Sequence, residues 1–353
     1  MVVVRAIKET DLDALMVLAG QVGSGMTSLK PDCKMLSARI ERACASFAES
    51  IPPLQRDYLF VMEVPQSGRV VGVCAIKSAV GLEDPFYNYR IGTMVHSSRE
   101  LQIFTRMETL TLCNDLTGNS ELCSLILHPD FRGGYYGKLL SKSRFLFIAQ
   151  FPHLFAERII AEMRGYQSDD GHSPFYDNLA RHFFKMDFSH ADDLTSLGKK
   201  SFIAELMPTQ PMYIAYLPPV AQAVIGKVHV NTAPARRLLE QEGMHFEGYV
   251  DIFDAGPVLQ ARVSALRAVR ESVLATVETG PAQQVVDRAP MHLVSNTDLH
   301  NFRVLVTSSP PQRQSSGVAI HLSGQEQQLL KCEPQLAVRT MPLSSIAKDA
   351  SHV

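Results

Sequence analysis

Long apolar runs and basic tracts are both missing from this chain of 353 residues. No stretch approaches the roughly 20 consecutive apolar residues that a membrane-spanning helix requires. The 34 Lys and Arg residues nearly balance the 36 Asp and Glu residues, and the net charge of −2 disfavours sequence-independent binding to nucleic acid. The chain turns acidic and amphipathic directly after its first segment, Met1 to Lys8, which is unlike a signal or transit peptide. We therefore expect a cytoplasmic protein that binds neither membrane nor nucleic acid.

Paired cysteines are missing as well. The six cysteines are scattered, with no CxxC pair and no Cys/His spacing suited to zinc. Most of them lie beside apolar residues in strand-like segments, as Cys74 and Cys113 do. We expect buried thiols in a reducing compartment and no metal site.

The composition is that of a globular protein, with 46% hydrophobic and 20% charged residues. At about 150 residues per domain, this length fits one large domain or two ordinary ones. A strand at 2–7 is followed by a helix that begins after Thr10, and a second helix is predicted at 35–49. Strands joined by turns into two hairpins are predicted next, at 58–64 with 69–76 and at 110–113 with 122–127.

The segment from 125 to 151 changes character, because a strand ends in a glycine-rich turn that opens a helix. The turn occupies residues 132–138 (RGGYYGK), and 139–151 has an amphipathic helical pattern. The free N–H groups of a first helical turn point outward, and the helix dipole adds roughly half a positive charge there. Glycines let a phosphate approach the backbone, so this turn is a candidate cradle for a pyrophosphate.

Two familiar phosphate-binding motifs do not fit this turn. Lys138 is followed by Leu139 instead of Ser or Thr, which excludes a Walker A motif. Arg132 stands where the dinucleotide motif GxGxxG needs its first glycine. Composition alone therefore leaves two interpretations open, a phosphate cradle or a plain strand-to-helix turn that needs glycines for close packing.

The turn and the order of the elements resemble the GNAT superfamily of acyl-CoA N-acyltransferases. That superfamily carries an R/Q-x-x-G-x-G/A turn after its fourth strand; Arg132 and Gly137 match this pattern, and Tyr135 replaces the middle glycine. Several separate segments are similar to the arginine N-succinyltransferase family within that superfamily. They are 89–101 (YRIGTMVHSSREL), 112–118 (LCNDLTG), 124–127 (SLIL), 140–147 (LSKSRFLF), 162–165 (EMRG) and 226–232 (GKVHVNT). The resemblance runs from the N-terminus to about Glu271.

The resemblance implies an α/β fold of the α+β type, with a GNAT-like mixed, largely antiparallel central sheet flanked by helices. It implies a complete GNAT-like acyltransferase unit at 1–190 and a partial second GNAT-like unit at 191–255 that carries the proton donor. A C-terminal extension at 256–353 is expected to hold a helix and short strands with loop segments. The second unit rests on a helical segment at 235–244 that echoes one at 180–188, and two unrelated amphipathic helices are the alternative.

Members of this family transfer succinyl from succinyl-CoA to the α-amino group of L-arginine, giving N2-succinyl-L-arginine and CoA in the first step of arginine catabolism. The resemblance therefore implies succinyl-CoA as co-substrate, L-arginine as the other substrate, and no permanently bound cofactor. An alternative of a different class is a catalytically weak CoA-binding subunit or sensor that pairs with an active paralogue. A homo-oligomer and a hetero-oligomer with a paralogous chain both stay open.

The resemblance also implies the residues that contact the carrier. In the superfamily the fourth strand splays, often at a bulge, and its backbone pairs with the pantetheine arm. Leu125 and Leu127 then contact succinyl-CoA, with ordinary core leucines as the alternative. The pyrophosphate contacts implied by the resemblance are Arg132, Gly133, Gly134, Tyr135, Gly137 and Lys138.

His229 is the candidate for the residue that protonates the departing thiolate. It lies in a strand-like stretch at 225–230 and precedes Asn231 and Thr232, which we expect to cap the next helix. Histidine titrates near neutral pH without a large shift of its pKa, and the family carries a proton donor in the matching segment. The alternative is a half-buried histidine that bonds to a nearby carbonyl.

The contacts to the arginine substrate are less defined. A guanidinium prefers a carboxylate, and a carboxylate prefers an arginine side chain. Arg90 and Arg164 are candidates to meet a carboxylate of arginine or of succinyl. Six acids follow apparent strand ends, where each is more typical of a solvated turn or a helix cap than of a ligand contact. They are Glu83, Asp84, Asp115, Glu162, Asp169 and Asp170.

Overall fold

A computed structural model describes residues 1–21, 29–168, 170–279, 290–315 and 317–344. The strands in these ranges are β1 (Val3–Ala6), β2 (Asp57–Val64), β3 (Arg69–Lys77), β4 (Asn88–Ser98), β5 (Ile103–Cys113), β6 (Ser120–Leu127), β7 (Arg158–Glu162), β8 (Met212–Tyr213), β9 (His245–Asp251), β10 (Pro257–Arg262), β11 (Val273–Thr279), β12 (His292–Ser295), β13 (Arg303–Thr307), β14 (Gln312–Gln314), β15 (Gly317–Leu322) and β16 (Ala337–Pro342). The helices are α1 (Leu12–Ala19), α2 (Cys33–Phe47), α3 (Tyr136–Gln150), α4 (Pro174–Asn178), α5 (Ala180–Phe184), α6 (Phe188–Ser196), α7 (Ser201–Leu206), α8 (Pro219–Gln222), α9 (Ala233–Gln241), α10 (Arg267–Glu271) and α11 (Gly324–Leu330).

The strands form one continuous sheet in the order β14-β15-β11-β16-β12-β13-β1-β2-β3-β6-β7-β10-β9-β4-β5-β8. Among the described strands, neighbours run antiparallel except for two parallel pairs, β6 with β7 and β11 with β15. Helices α2 and α3 pack against strands of this sheet. The predicted mixed, largely antiparallel sheet with flanking helices is therefore confirmed.

The first predicted hairpin is confirmed almost to the residue. β2 and β3 pair along their whole length, and the turn between them ends at Gly68, whose φ of 69° favours glycine. The side chain of Phe60 from β2 points into an aromatic core, where its ring centroid lies 5.0 Å from that of Phe147 on α3. Phe147 also packs edge-on against Phe302, at 4.8 Å between centroids.

The second predicted hairpin is wrong. The segment at 110–113 is the end of β5, which pairs with β4 over eleven residues in a long ribbon. β6 pairs instead with β3 and β7. The loop between β5 and β6 lies beside the segment that follows β3, and the N–H of Gly118 in this loop donates to the carbonyl of Val80 at 2.8 Å. The polar loop is thus a crossing between distant strands and not a tight turn.

Helix α3 is buried on nearly all sides, which corrects the amphipathic pattern predicted for it. Residues 139–149 are all buried, and these include two charged side chains, Lys142 and Arg144. The ammonium of Lys142 lies 2.9 Å from the carboxylate of Glu242, at the end of α9. The same carboxylate accepts a hydrogen bond from Arg267 of α10 at 2.8 Å. This buried ion cluster ties together the three helices behind the sheet.

Strands from the two ends of the chain lie side by side. β1 pairs with β2 on one edge and with β13 on the other, where Val4 is opposite Val304. The division of the chain at residues 190 and 255 stays a prediction. Within the described ranges, no helix is both long and apolar enough to cross a membrane.

Candidate functional site

A splayed pair of parallel strands forms the base of the site. β6 and β7 pair only at their first residues, Ser120 with Ile159 and Glu121 with Ile160. β6 then carries a bulge, because its register with β3 shifts by one residue around Ser124, whose φ is 55°. A bulge adds twist and bends its strand, so the two strands separate and leave an opening between them.

The glycine-rich turn follows β6 directly. Gly133 and Gly134 adopt φ values of 104° and 56°, a conformation that glycine allows at little cost. α3 then begins without a side-chain cap at Tyr135, so the N–H groups of its first turn can donate to a ligand. The turn therefore has the backbone geometry that an anion requires.

A groove of about 1820 Å³ joins this turn to the opening between the strands. Among the predicted carrier contacts, those that line the groove are Leu125, Leu127, Arg132, Gly133, Gly134, Gly137 and Lys138. Tyr135 is the exception, since its ring packs against Tyr136 with 4.7 Å between centroids and contacts the core behind the turn. The structure thus brings the turn and the bulged strand to one surface.

His229 lies beside the end of β7. Its backbone N–H donates to the carbonyl of Arg164 at 2.9 Å, and its ring Nδ1 accepts from the N–H of Asn231 at 3.2 Å. Because Nδ1 accepts this bond, the neutral ring carries its proton on Nε2. Arg164 lines the groove, and so do the three residues that follow His229. The half-buried imidazole therefore lies next to residues that line the groove, near the splayed strands.

The local structure around His229 differs from the predicted strand. The stretch at 225–230 contributes one isolated bridge, between Val228 and Gly165, because Gly226 turns the chain with a φ of 72°. His229 instead precedes a short 3-10 turn. The next helix, α9, begins where expected after Thr232, but the Thr232 side chain makes no capping hydrogen bond.

A buried carboxylate holds the end of β7 in place. Asp254 accepts from the backbone N–H of Gly165 at 2.7 Å and from that of Gly256 at 2.8 Å. Burial, and then the charge of Asp251, raise the pKa of Asp254 well above its ordinary value. A Cβ atom at Gly165 would lie 2.4 Å from the Asp254 carbonyl oxygen. Glycine is therefore required directly after Arg164, the residue that positions His229.

Three carboxylates line the groove, and we call them the acidic cluster: Glu121 of β6, Glu162 at the end of β7 and Asp251 at the end of β9. Glu162 accepts a hydrogen bond from the amide Nδ2 of Asn88 at 2.7 Å. Burial raises the pKa of Glu162 well above its ordinary value, and the charges of Asp251 and then Glu121 raise it further. The expectation of a solvated turn acid at Glu162 is therefore wrong.

Sequence reasoning missed the other carboxylates of the acidic cluster and missed Asn88, which donates to Glu162. Asn88 begins β4 and Asp251 ends β9, and they are direct cross-strand partners. Their meeting with Glu162 depends on pairings between strands that are far apart in the chain. The position of Glu162 at the end of a predicted strand is the one feature of the local sequence that points to this cluster.

The remaining candidates lie in different places. Arg164 lines the groove and donates to Gln167, and burial lowers the pKa of its guanidinium. Arg90 is exposed, with its guanidinium 3.9 Å from the carboxylate of Asp115. Glu83 pairs with Arg42 at 2.8 Å on the surface. Asp169 lies outside the described residues.

In the described ranges of the chain, no group of three or more His, Cys, Asp or Glu side chains is placed to hold a metal ion. All six cysteines are free, with Cys33 exposed and Cys74 and Cys332 buried.

Parallel strands that splay at a bulge, followed by a glycine-bearing turn and an uncapped helix, define the fold of a GNAT-type acyltransferase. Comparison with known proteins agrees. The family model described as arginine N-succinyltransferase beta subunit matches residues 2–268. The chain belongs to the arginine N-succinyltransferase family.

Individual relatives match over nearly the full length. A protein of Enterobacter sp. (strain 638) named arginine N-succinyltransferase is 47% identical over 350 residues, which cover 99% of this chain and 100% of the relative. A protein of the same name from Escherichia coli (strain 55989 / EAEC) is 46% identical with the same coverage. The solved structure of arginine/ornithine succinyltransferase subunit AI from Pseudomonas aeruginosa is 34% identical, with a TM-score of 0.87, and the match covers 98% of this chain and 99% of that one.

Proposed function

We propose that this protein transfers the succinyl group of succinyl-CoA to the α-amino group of L-arginine, as the names of its relatives indicate. The observation that carries the proposal is the groove that joins the glycine-rich turn to the residues flanking His229. One end suits an anionic carrier, and the middle offers a proton donor beside the splayed strands. The carrier enters as a co-substrate and no bound cofactor is required.

The carrier is held mainly by main-chain groups in this proposal. The pantetheine arm lies along β6 after the bulge, where Leu125 and Leu127 offer backbone groups and an apolar wall. The pyrophosphate takes the N–H groups at the start of α3. Arg132 and Lys138 flank that position and line the groove, so they supply positive charge to the phosphates.

The chemical step forms a C–N bond and breaks a C–S bond. The neutral α-amine attacks the thioester carbonyl carbon, and the carbonyl oxygen takes the negative charge. When the tetrahedral intermediate collapses, the C–S electron pair leaves on sulfur, and the nitrogen releases one proton to solvent. The thiolate takes a proton from Nε2 of the imidazolium form of His229, in which Nδ1 is also protonated and has given up its hydrogen bond from the Asn231 N–H. The transfer is favourable because a thiolate is a stronger base than a neutral imidazole. Solvent then reprotonates the ring.

Thiol release tests the activity directly. The purified protein is mixed with succinyl-CoA and L-arginine, and free CoA is followed with a thiol reagent. We expect release that requires both substrates, with acetyl-CoA and L-ornithine as controls for the donor and the acceptor. No release with any pair would overturn the enzyme and leave the alternative of a CoA-binding subunit.

The role of His229 has its own test. We expect His229→Ala to lower kcat by about 10²- to 10⁴-fold, the range typical of general acid catalysis. His245→Ala is the matched control, because His245 is exposed on β9. Undiminished turnover in His229→Ala would remove the role of this residue and leave the overall activity in place.

We also propose that the protein works in the cytoplasm. The six free cysteines, one of them exposed, support a reducing compartment. Fractionation of the host cell with an assay for thiol release in each fraction tests this location. Activity confined to a periplasmic or membrane fraction would contradict it.

A further inference from the structure

We propose that the acidic cluster, together with Asn88, binds the cationic side chain of the amine substrate and so determines the preference for arginine. This inference rests on the proposed function and names the residues that the acceptor side of the groove would use. Comparison with known proteins assigns no residue to this role. Four observations carry it.

The first observation is the side of the sheet on which Glu162 lies. Residues alternate along a strand, and Ile159, Ala161 and Met163 pack into the core that contains α3. Glu162 therefore faces the opposite side of β7 from the helix that follows the glycine-rich turn. A substrate on that side approaches the opening between β6 and β7 from the face opposite the carrier.

The second observation is the distance from the proton donor. Glu162 lies two residues before Arg164, whose carbonyl accepts from the backbone of His229. Two residues of extended backbone beyond the end of β7 span at most about 6.6 Å, which is close to the length of an extended arginine side chain. A guanidinium at Glu162 thus leaves the α-amino group near the reacting end of the groove.

The third observation is the charge balance. Glu162 receives its hydrogen bond from a neutral amide, Asn88. Lys77 lies 3.6 Å from Glu121. Lys200 also lines the groove, and its own pKa is lowered by burial and then by Lys77. The charges of Asp251 and Glu121 add to the raised pKa of Glu162, and a bound cation would offset them.

The fourth observation is a buried acceptor without a partner. Asn88 is 0% exposed, and its Nδ2 donates to Glu162 while no described residue donates to its Oδ1. Leaving such an oxygen unsatisfied costs about 1–3 kcal/mol. A carboxylate and an amide oxygen side by side match a ligand with several N–H donors in one plane, which is the geometry of a guanidinium.

A different role for Glu162 makes different predictions. A carboxyl near the reacting amine could instead remove its proton as a general base. Loss of a base lowers kcat and changes the pH dependence of kcat, whereas loss of a binding group raises KM for arginine. The two roles are therefore separated by steady-state kinetics.

The experiment compares L-arginine with L-citrulline, in which a neutral urea replaces the guanidinium at nearly the same shape. We expect wild-type protein to prefer arginine. Glu162→Gln should lose about 10- to 100-fold in kcat/KM for arginine, mostly through KM, and should leave kcat/KM for citrulline unchanged. Glu157→Gln is the matched control, because Glu157 is exposed just before β7. Asp251→Asn is a second variant, and a urea unfolding curve of each variant reports its stability.

Calorimetric titration of arginine and citrulline into the CoA-bound protein separates this inference from the proposed function. Tighter binding of arginine that Glu162→Gln abolishes supports the subsite even if thiol release fails. Equal binding of the two ligands by wild-type protein overturns the subsite. The subsite is also overturned if Glu162→Gln or Asp251→Asn loses equal amounts of kcat/KM for arginine and for citrulline. A fall in kcat for arginine at constant KM would overturn it as well.

Discussion

Glu242→Gln is the substitution whose cost follows most directly from the structure. The Glu242 side chain is 0% exposed and its Oε1 lies 2.9 Å from Nζ of Lys142. The same oxygen accepts from Nη2 and Nε of Arg267, at 2.8 Å and 3.0 Å. The substitution leaves two buried cations without their shared anion, so the free energy of unfolding should fall by about 3–5 kcal/mol.

Urea unfolding followed by circular dichroism measures this loss. With a slope of about 3 kcal/mol/M, the midpoint should fall by about 1–1.7 M. Glu240→Gln is the matched control, since Glu240 lies on the same helix and pairs with Arg236 on the surface at 2.8 Å. Such an exposed pair contributes about 0.3–0.5 kcal/mol. Equal midpoints for the two variants would refute the reasoning.

The cost should also depend on pH. Burial lowers the pKa of Lys142, and the negative charge of Glu242 partly offsets this effect of burial. Removing that charge lowers the pKa further, so the buried lysine loses its proton more readily as the pH rises. The difference between Glu242→Gln and wild type should therefore shrink from pH 7 to pH 9, and a constant difference would contradict the assignment.

Three further substitutions or conditions test the groove. Arg132→Ala should raise KM for succinyl-CoA by about 3- to 10-fold without changing KM for arginine, because one phosphate contact is lost at an exposed position. Gly165→Ala should lower the free energy of unfolding in urea by about 1–3 kcal/mol and should lower kcat, because its new Cβ would lie 2.4 Å from a backbone oxygen. Gly324→Ala is the control and should leave the free energy of unfolding unchanged, because no atom lies within 4 Å of its new Cβ. KM for arginine should fall as the pH rises through the raised pKa of Glu162, because the ionised carboxylate binds the guanidinium, and Glu162→Gln should lack this dependence.

Local patterns predicted the elements whose partners are close in the sequence. The β2–β3 hairpin follows from alternating apolar residues around a turn that ends at Gly68. The strand, turn and helix around Arg132 follow from glycines placed between two apolar segments. In each case the hydrogen bonds that define the element join residues within one short segment.

Patterns failed where a distant partner decides the structure. The β-branched residues around Val228 predict a strand, yet the available partner is a single residue, Gly165. The pairing of Asn88 with Asp251 and their approach to Glu162 depend on the strand order of the whole sheet. No local period reports such contacts, so the acceptor side of the groove became visible only in three dimensions.

The position of β1 between β2 and β13 has a consequence for synthesis. The outer edge of Val3–Ala6 stays unpaired until Arg303–Thr307 has left the ribosome. At 5–20 residues per second, that wait lasts about 15–60 s. An unpaired strand edge is a template for aggregation, so the nascent chain requires shielding for this period, and products that terminate early should be degraded or precipitate. The C-terminal quarter of the chain is thus the part that completes folding.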